Sequence, residues 1–421
     1  MRALYSLAVY LLTPFVLLHF VIRGVRNRDY LRRWRERFGF FPMPVSPGGI
    51  VVHAVSVGEV NAAAPLIRAL AERFPDRSMT VTCFTPTGSD RVRSLFGDRV
   101  HHAYAPLDLP GAVRRFLDHV RPRLIVIMET EIWPNLFISA AARDVPVLIA
   151  NARISATSVK GYRRIRPVTR AALAQVALIA AQSDQDAARL ADIGADPHTV
   201  EVIGNLKFDM NLPAGLEAQG QSVRERWGLE RPVLLAGSTH EHDESPVLEA
   251  FRQVLESLPR ALLVLVPRHN ERFGRATQAA RHAGLETRQL SEGSDIDPST
   301  QCFVVDAMGE LMRYYAACDV AFVGGSFEPV GGHNVLEPAA MGKPVLVGPH
   351  TFNFEEITEQ LISSGGARRV ADAGELAEAS IRLLGDAALR AQMGEAGMAL
   401  VHRRQGTLAR TLDIASELLE R

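Results

Sequence analysis

Residues 320–350 read VAFVGGSFEPVGGHNVLEPAAMGKPVLVGPH, and the order of residue types along this stretch decides the fold class. VAFV and PVLV are short, wholly apolar runs bounded by glycine and proline, as strands buried on both faces are. Between them Gly324, Gly325, Gly331 and Gly332 punctuate a loop that opens into the helix-forming NVLEPAAM. A strand, a loop, a helix and a second strand make one parallel crossover unit. In open α/β sheets ligands collect beyond the carboxyl ends of strands, so this loop is a candidate site. Glycines let backbone N–H groups approach phosphate. Asn334 is expected in the first helical turn, with Glu337 one turn along and in reach of a ribose hydroxyl. Loop glycines also serve purely conformational ends; the combination with Asn334 and Glu337 favours the nucleotide reading.

The same alternation extends outward in both directions. RPVLLAGS, ALLVLVPRH and CFVVD precede it as further strands of one Rossmann-like half. From Gly49 an earlier half shows GIVVHAV, MTVTCF, LIVIME, VPVLIA and ALIAAQS, each followed by turn residues and then helical periodicity, and closes near GNLKFD after a strand-like segment. The 421 residues are thus expected as residues 1–37, an N-terminal anchor with a basic flank; 38–210, a first Rossmann-like domain; 211–227, a Pro-, Gly- and polar-rich connection; and 228–421, a second Rossmann-like domain whose last helix returns to the first. Neither first strand leads into GxGxxG, which weighs against a dinucleotide enzyme.

Composition narrows the function classes. Lys plus Arg and Asp plus Glu are both 47, leaving no net field to draw in nucleic acid. Three scattered cysteines, Cys83, Cys302 and Cys318, match neither a disulfide framework nor a zinc site and fit a reducing compartment. Leu4 to Ile22 is uncharged and long enough to cross a bilayer core. It is followed by Arg23, Arg26, Arg28, Arg32, Arg33, Arg35 and Arg37 against Asp29 and Glu36. That flank predicts a cytoplasmic location for everything after it, with the helix spanning, lying in the interface, kinking at Pro14, or packing on the body. Charge after the apolar run is the reverse of a cleaved signal peptide.

Chemistry-bearing residues stand after the strands. Glu59 in HAVSVGEVNAAAP opens a helix, where a carboxylate complements the dipole and equally suits a general base. Glu129 and Glu131 in LIVIMETEIWPNL form an acidic pair of the kind glycosidases use. Lys207 in GNLKFD can neutralise a leaving phosphate. STHEHDE, with His240, His242, Asp243 and Glu244, is read as a helix start capped from Ser238 and Thr239 ahead of a metal cluster. Pro267, Arg268, His269 and Arg272 follow a buried strand, where a guanidinium can clamp phosphate. Met308, Gly309 and Glu310 form a turn before a helix that can offer backbone groups to a base edge.

HAVSVGE, ETEIWPN, NARIS, GNLKFD and GGHNVLEP, in this order behind an apolar N-terminus, resemble the 3-deoxy-D-manno-octulosonic acid (Kdo) transferase family across nearly the whole chain. EPAAMGKPVLVGP by itself resembles the wider GT-B glycosyltransferase class. The resemblance implies an α/β GT-B fold with two Rossmann-like domains facing a cleft. It implies inverting transfer of Kdo from CMP-Kdo to the tetraacyl lipid A precursor at the cytoplasmic face of the inner membrane, with no metal or other cofactor. It also implies Glu59 as proton acceptor, Glu129 and Lys207 as transition-state stabilisers, and Pro267, Arg268, Met308, Gly309, Glu310, Asn334, Val335, Leu336 and Glu337 as CMP contacts. Two competing readings are another GT-B transferase or epimerase using a UDP-sugar, and a membrane-tethered nucleotide-binding scaffold.

Overall fold

Two seven-stranded, all-parallel sheets organise the chain, each in its own compact unit. The computed structural model describes residues 2–42, 45–210 and 212–420, the side chain of Arg26 aside. The first unit comprises residues 1–209 and 405–421, and the second residues 210–404.

The first sheet contains β1 (Ile50–His53), β2 (Met79–Cys83), β3 (His101–Tyr104), β4 (Leu124–Met128), β5 (Val147–Ala152), β6 (Leu178–Ala181) and β7 (Val200–Val202), in the order β3-β2-β1-β4-β5-β6-β7. Its central strands are buried on both faces; β1, β2, β4 and β5 have no exposed residue. Helices cover each face, giving one core around Ile50, Leu66 and Val126 and another around Phe116, Ile127 and Ile149. Thr407–Glu420, the last helix, completes the first of these cores with Ile414, Ala415, Leu418 and Leu419. Its start is held by Asp209, which accepts from the N–H groups of Gly406 and Leu408 at 2.6 and 2.7 Å.

The second sheet contains β8 (Val233–Thr239), β9 (Leu262–Pro267), β10 (Thr287–Gln289), β11 (Cys302–Val304), β12 (Val320–Val323), β13 (Val345–Val347) and β14 (Ala367–Arg369), in the order β10-β11-β9-β8-β12-β13-β14. Both sheets change direction of winding once, at β1 between β2 and β4 and at β8 between β9 and β12. The crevice beyond such a switch point is where this architecture binds ligands.

One segment differs from the sequence expectation, and a second, read there only for its charge, is partly buried. Within 211–227, Asn211 lies outside the described residues, and Leu216–Trp227 is a helix of the second unit rather than a connection. Leu216, Gly220, Val223 and Trp227 form its buried stripe, which the surrounding polar residues hide in the sequence. Trp227 stacks on Tyr314 with ring centroids 5.7 Å apart. The basic flank divides between solvent and core. Arg23, Arg28, Arg32 and Arg35 are exposed, but Arg37 is fully buried, donating to the Phe84 carbonyl at 3.0 Å with Phe20, Phe84 and Tyr104 rings around its guanidinium. Arg33 pairs with Glu36 at 2.6 Å.

The N-terminal helix runs unbroken from Arg2 to Arg26 through Pro14. It has the length and composition to cross a membrane, with a mean hydropathy of 1.9, yet one of its faces packs on the first unit. Arg2 donates to Ser139 at 2.9 Å, Tyr5 to Asp108 at 2.9 Å and Ser6 to Asn135 at 3.1 Å. Further along, Phe20 is buried against Tyr30, Trp34 and Phe84. The opposite face exposes Leu4, Leu7, Leu11, Phe15, Leu18 and Ile22.

Candidate functional site

In the first unit the carboxylates singled out by sequence gather at the switch point. Ser56 caps the helix Val57–Arg73, and Glu59 sits in its first turn. The Glu59 carboxylate accepts from the Val55 N–H at 2.8 Å and the Ser56 hydroxyl at 3.2 Å. This is a cap geometry, but the group is not an ordinary solvated cap. Burial pushes its pKa up to about 7, with the charges of Glu129 and Glu131 adding to the rise and the Val55 and Ser56 hydrogen bonds opposing it. A carboxyl with that pKa exchanges protons near neutrality, as a general base must.

Glu129 directly follows β4, the strand beside β1. Its φ of 57° puts it in the left-handed region, a strained state for a residue with a Cβ. Arg153, at the end of neighbouring β5, pairs with its carboxylate at 3.0 Å. Burial raises Glu131 as well, helped by the charge of Glu129. Lys207 stands in the short 3-10 turn Leu206–Phe208 after β7. Asn205 caps that turn, accepting from the Lys207 N–H at 3.0 Å and donating to Gln182 at 2.8 Å. Asn151, buried at φ 55°, accepts from Leu206 N–H at 3.0 Å. The ends of β5, β6 and β7 thereby fix the backbone that carries Lys207.

In the second unit β8, β9 and β12 end together. Pro267 is buried as the last residue of β9, and Arg268 emerges exposed beside it. Among the described residues no hydrogen bond or ion pair engages the Arg268 guanidinium. Arg272, expected alongside it for phosphate, is committed elsewhere, to Glu244 at 2.5 Å and Glu241 at 3.0 Å. The cap of the helix Glu241–Ser257 is His240 and not Ser238 or Thr239, because Ser238 lies within β8 at φ 55°, where the register with β9 shifts.

Asp243 has a role that sequence reading did not separate from simple capping. Almost fully buried, it accepts from the N–H groups of His240 at 2.8 Å, Gly325 at 2.7 Å, Phe327 at 3.1 Å and Ser326 at 3.3 Å. One carboxylate thus ties the glycine loop after β12 to the end of β8. Among the described residues no group of three His, Cys, Asp or Glu side chains is placed to hold a metal ion.

Asn334 precedes the helix Leu336–Ala340 instead of occupying its first turn. Its carboxamide donates to Glu337 at 3.1 Å and accepts from Leu336 N–H at 3.2 Å. Burial raises the Glu337 pKa, and the Asn334 hydrogen bond and the Arg268 charge oppose it. Val335 and Leu336 bury their side chains, leaving only backbone to meet a ligand. Met308 is exposed, Gly309 turns at φ 88°, and Glu310 pairs with Arg313 at 3.4 Å ahead of the helix Leu311–Ala317. Arg153 and His333 are the residues that sequence reasoning did not single out, and Asp243 was read only as part of a helix start; each is defined by a partner distant in sequence.

Two parallel Rossmann-like units of this topology make a GT-B fold. The fold is shared with the Anabaena protein HepE in complex with UDP, at a TM-score of 0.56, 16% identity, and coverage of 89% of this chain and 100% of that one. Residues 32–210 match the family model described as 3-Deoxy-D-manno-octulosonic-acid transferase (kdotransferase), and residues 245–399 the model for Glycosyl transferases group 1. The 3-deoxy-D-manno-octulosonic acid transferase of Haemophilus influenzae is 39% identical over 423 residues, covering 100% of this chain and 99% of its own. That of Bordetella pertussis is 38% identical over 432 residues, covering 99% of each. The chain belongs to the 3-deoxy-D-manno-octulosonic acid transferase family and is a Kdo glycosyltransferase of lipopolysaccharide synthesis.

Proposed function

We propose that the protein transfers Kdo from CMP-Kdo to a sugar hydroxyl of the tetraacyl lipid A precursor, with inversion. The observation that carries the reading is Glu59, a half-buried carboxyl at the first unit's switch point with its pKa raised to about 7. Glu59 takes the proton of the acceptor hydroxyl. The oxygen then forms a bond to the anomeric carbon of Kdo as the bond from that carbon to the CMP phosphate breaks on the opposite face. A single displacement inverts the centre. Glu129, oriented by Arg153, and Lys207 stabilise the transition state, and Arg268 meets the phosphate on which charge develops. Pro267, the Met308–Gly309–Glu310 turn and the segment Asn334 to Glu337 contact the nucleotide.

The exposed apolar face of the helix Arg2–Arg26, flanked by Arg23, Arg28, Arg32 and Arg35, supports attachment to an anionic membrane surface. In this reading the helix lies in the interface with its other face on the first unit, on the cytoplasmic side of the inner membrane. Product analysis after mixing the protein with CMP-Kdo and lipid A precursor tests donor, acceptor and transfer together; the absence of a Kdo-bearing product overturns the proposal. Thermal protection by CMP and not UDP is expected, and the reverse result would favour a UDP-sugar enzyme.

A further inference from the structure

At the second unit's switch point two histidines are within hydrogen-bond distance of each other. His240 follows β8 and His333 lies in the loop after β12. Their rings meet edge to edge in nearly one plane, with centroids 5.1 Å apart and planes 4° apart, and their Nε2 atoms are 2.8 Å apart. At that separation one imidazole must donate and the other accept, so the bonded pair carries one positive charge or none. His269, after β9, sets its ring edge-on to His240 with centroids 5.3 Å apart. Gly325, at φ 67°, makes room for His333, since a Cβ there would lie 2.9 Å from the imidazole.

The charges around the pair are unbalanced. From the end of β9, Arg268 and His269 face it. Arg272 also acts on His240 but is neutralised by Glu241 and Glu244. On the helix that His240 caps, Asp243 is the near carboxylate, and its oxygens are spent on four backbone N–H groups. His242 turns instead to Glu328, at 2.9 Å. Glu337 faces Arg268 from the helix after the glycine loop, and burial favours its neutral form. Burial pushes His333 down to about 4, with His240 and Arg268 acting in the same direction, and burial lowers His240 too. Burial therefore disfavours the imidazolium form of both rings, next to a guanidinium that no ion pair engages among the described residues.

We propose that His240 and His333 form a proton-coupled anion site, which takes up one proton from solvent when the phosphate of CMP binds beside Arg268 and returns it when CMP leaves. The site rests on the reading that this unit binds the CMP part of the donor. A phosphate reverses the sign of the local field, favouring the imidazolium that burial disfavours in its absence. The pair then donates a charge-assisted hydrogen bond where the guanidinium alone supplied positive charge.

Calorimetric titration of the full chain with CMP at about pH 7.5, where the phosphate is mainly dianionic, tests this in buffers of different ionisation enthalpy. The slope of observed enthalpy against buffer enthalpy is expected to give uptake of about one proton per CMP. Cytidine, lacking the phosphate, is expected to give none. His333→Gln and His240→Gln should each bring the CMP slope near zero and weaken CMP about 10-fold, while cytidine binds unchanged, showing that the variants fold. CMP binding to the native protein with zero slope, or full uptake persisting in both variants, overturns the proton coupling and leaves the donor reading intact. No binding of CMP at all overturns both.

Discussion

Replacing Glu59 by Gln separates a helix cap from a general base, because the two roles predict opposite changes in stability. Burial and two neighbouring carboxylates raise the Glu59 pKa from 4.5 to about 7. Between those pH values the folded protein binds more protons than the unfolded chain, so stability falls as pH rises through this window and stays lowered above it. The displacement corresponds to about 3 kcal/mol. A Gln carboxamide oxygen can still accept from the Val55 N–H, 2.8 Å from the native carboxylate, and the variant has no charge to desolvate. It should match the native protein at about pH 4 and be more stable at pH 8 by up to about 3 kcal/mol. Denaturant unfolding across this range measures the difference. Over the same range native transfer should rise with pH and level off above about 7, while the variant loses roughly 10²–10⁴-fold in rate. A variant less stable than the native protein at pH 8, with transfer retained, would mean that the carboxylate mainly completes the helix start, and the base assignment would fall.

Three other perturbations probe the remaining parts. Glu129→Gly relieves the left-handed backbone at φ 57° and should stabilise by about 1 kcal/mol while slowing transfer; a net loss in denaturant unfolding would show that the Arg153 ion pair outweighs the backbone term. Asp243→Ala leaves four backbone N–H groups without their acceptor, and should cost about 2–4 kcal/mol in thermal unfolding with CMP bound at least about 10-fold more weakly. Leu11→Glu combined with Phe15→Glu changes two residues that are 65% and 69% exposed. It should abolish flotation with anionic vesicles at an unchanged unfolding temperature, and undiminished flotation would refute attachment through this face.

What could be read from the sequence follows the burial of each strand. Runs such as LIVIM and LLVLV announce themselves because β4 and β9 are covered on both faces and no position needs a polar residue. The four sheet edges are β3, β7, β10 and β14, and they read His-His-Ala-Tyr, Val-Glu-Val, Thr-Arg-Gln and Ala-Arg-Arg. Each is short and partly exposed, as edges protected from further pairing tend to be. Of these only β7 left a trace, as a strand-like approach to GNLKFD. The helix Leu216–Trp227 escaped for a related reason: four buried positions among polar neighbours read as a connection until Trp227 is seen stacked on Tyr314.

The candidate site divides along the same line. Glu59, Glu129, Lys207 and Arg268 could be picked out because each follows a strand, and a parallel sheet gathers those positions at one edge whatever the loop sequences are. Arg153, Asp243 and His333 follow strands or open helices too, yet nothing local marks Arg153 or His333, and the local acidic cluster shows Asp243 only as a helix start. Arg153 matters because β5 lies beside β4, Asp243 because β8 lies beside β12, and His333 because that pairing brings it to His240. Backbone strain is equally invisible: Glu129, Asn151 and Ser238 all adopt positive φ at or near strand ends, and none is glycine. Such conformations persist only where surrounding structure imposes them. Here the imposing structure is sheet order, a property of pairs of strands that no single stretch of sequence contains.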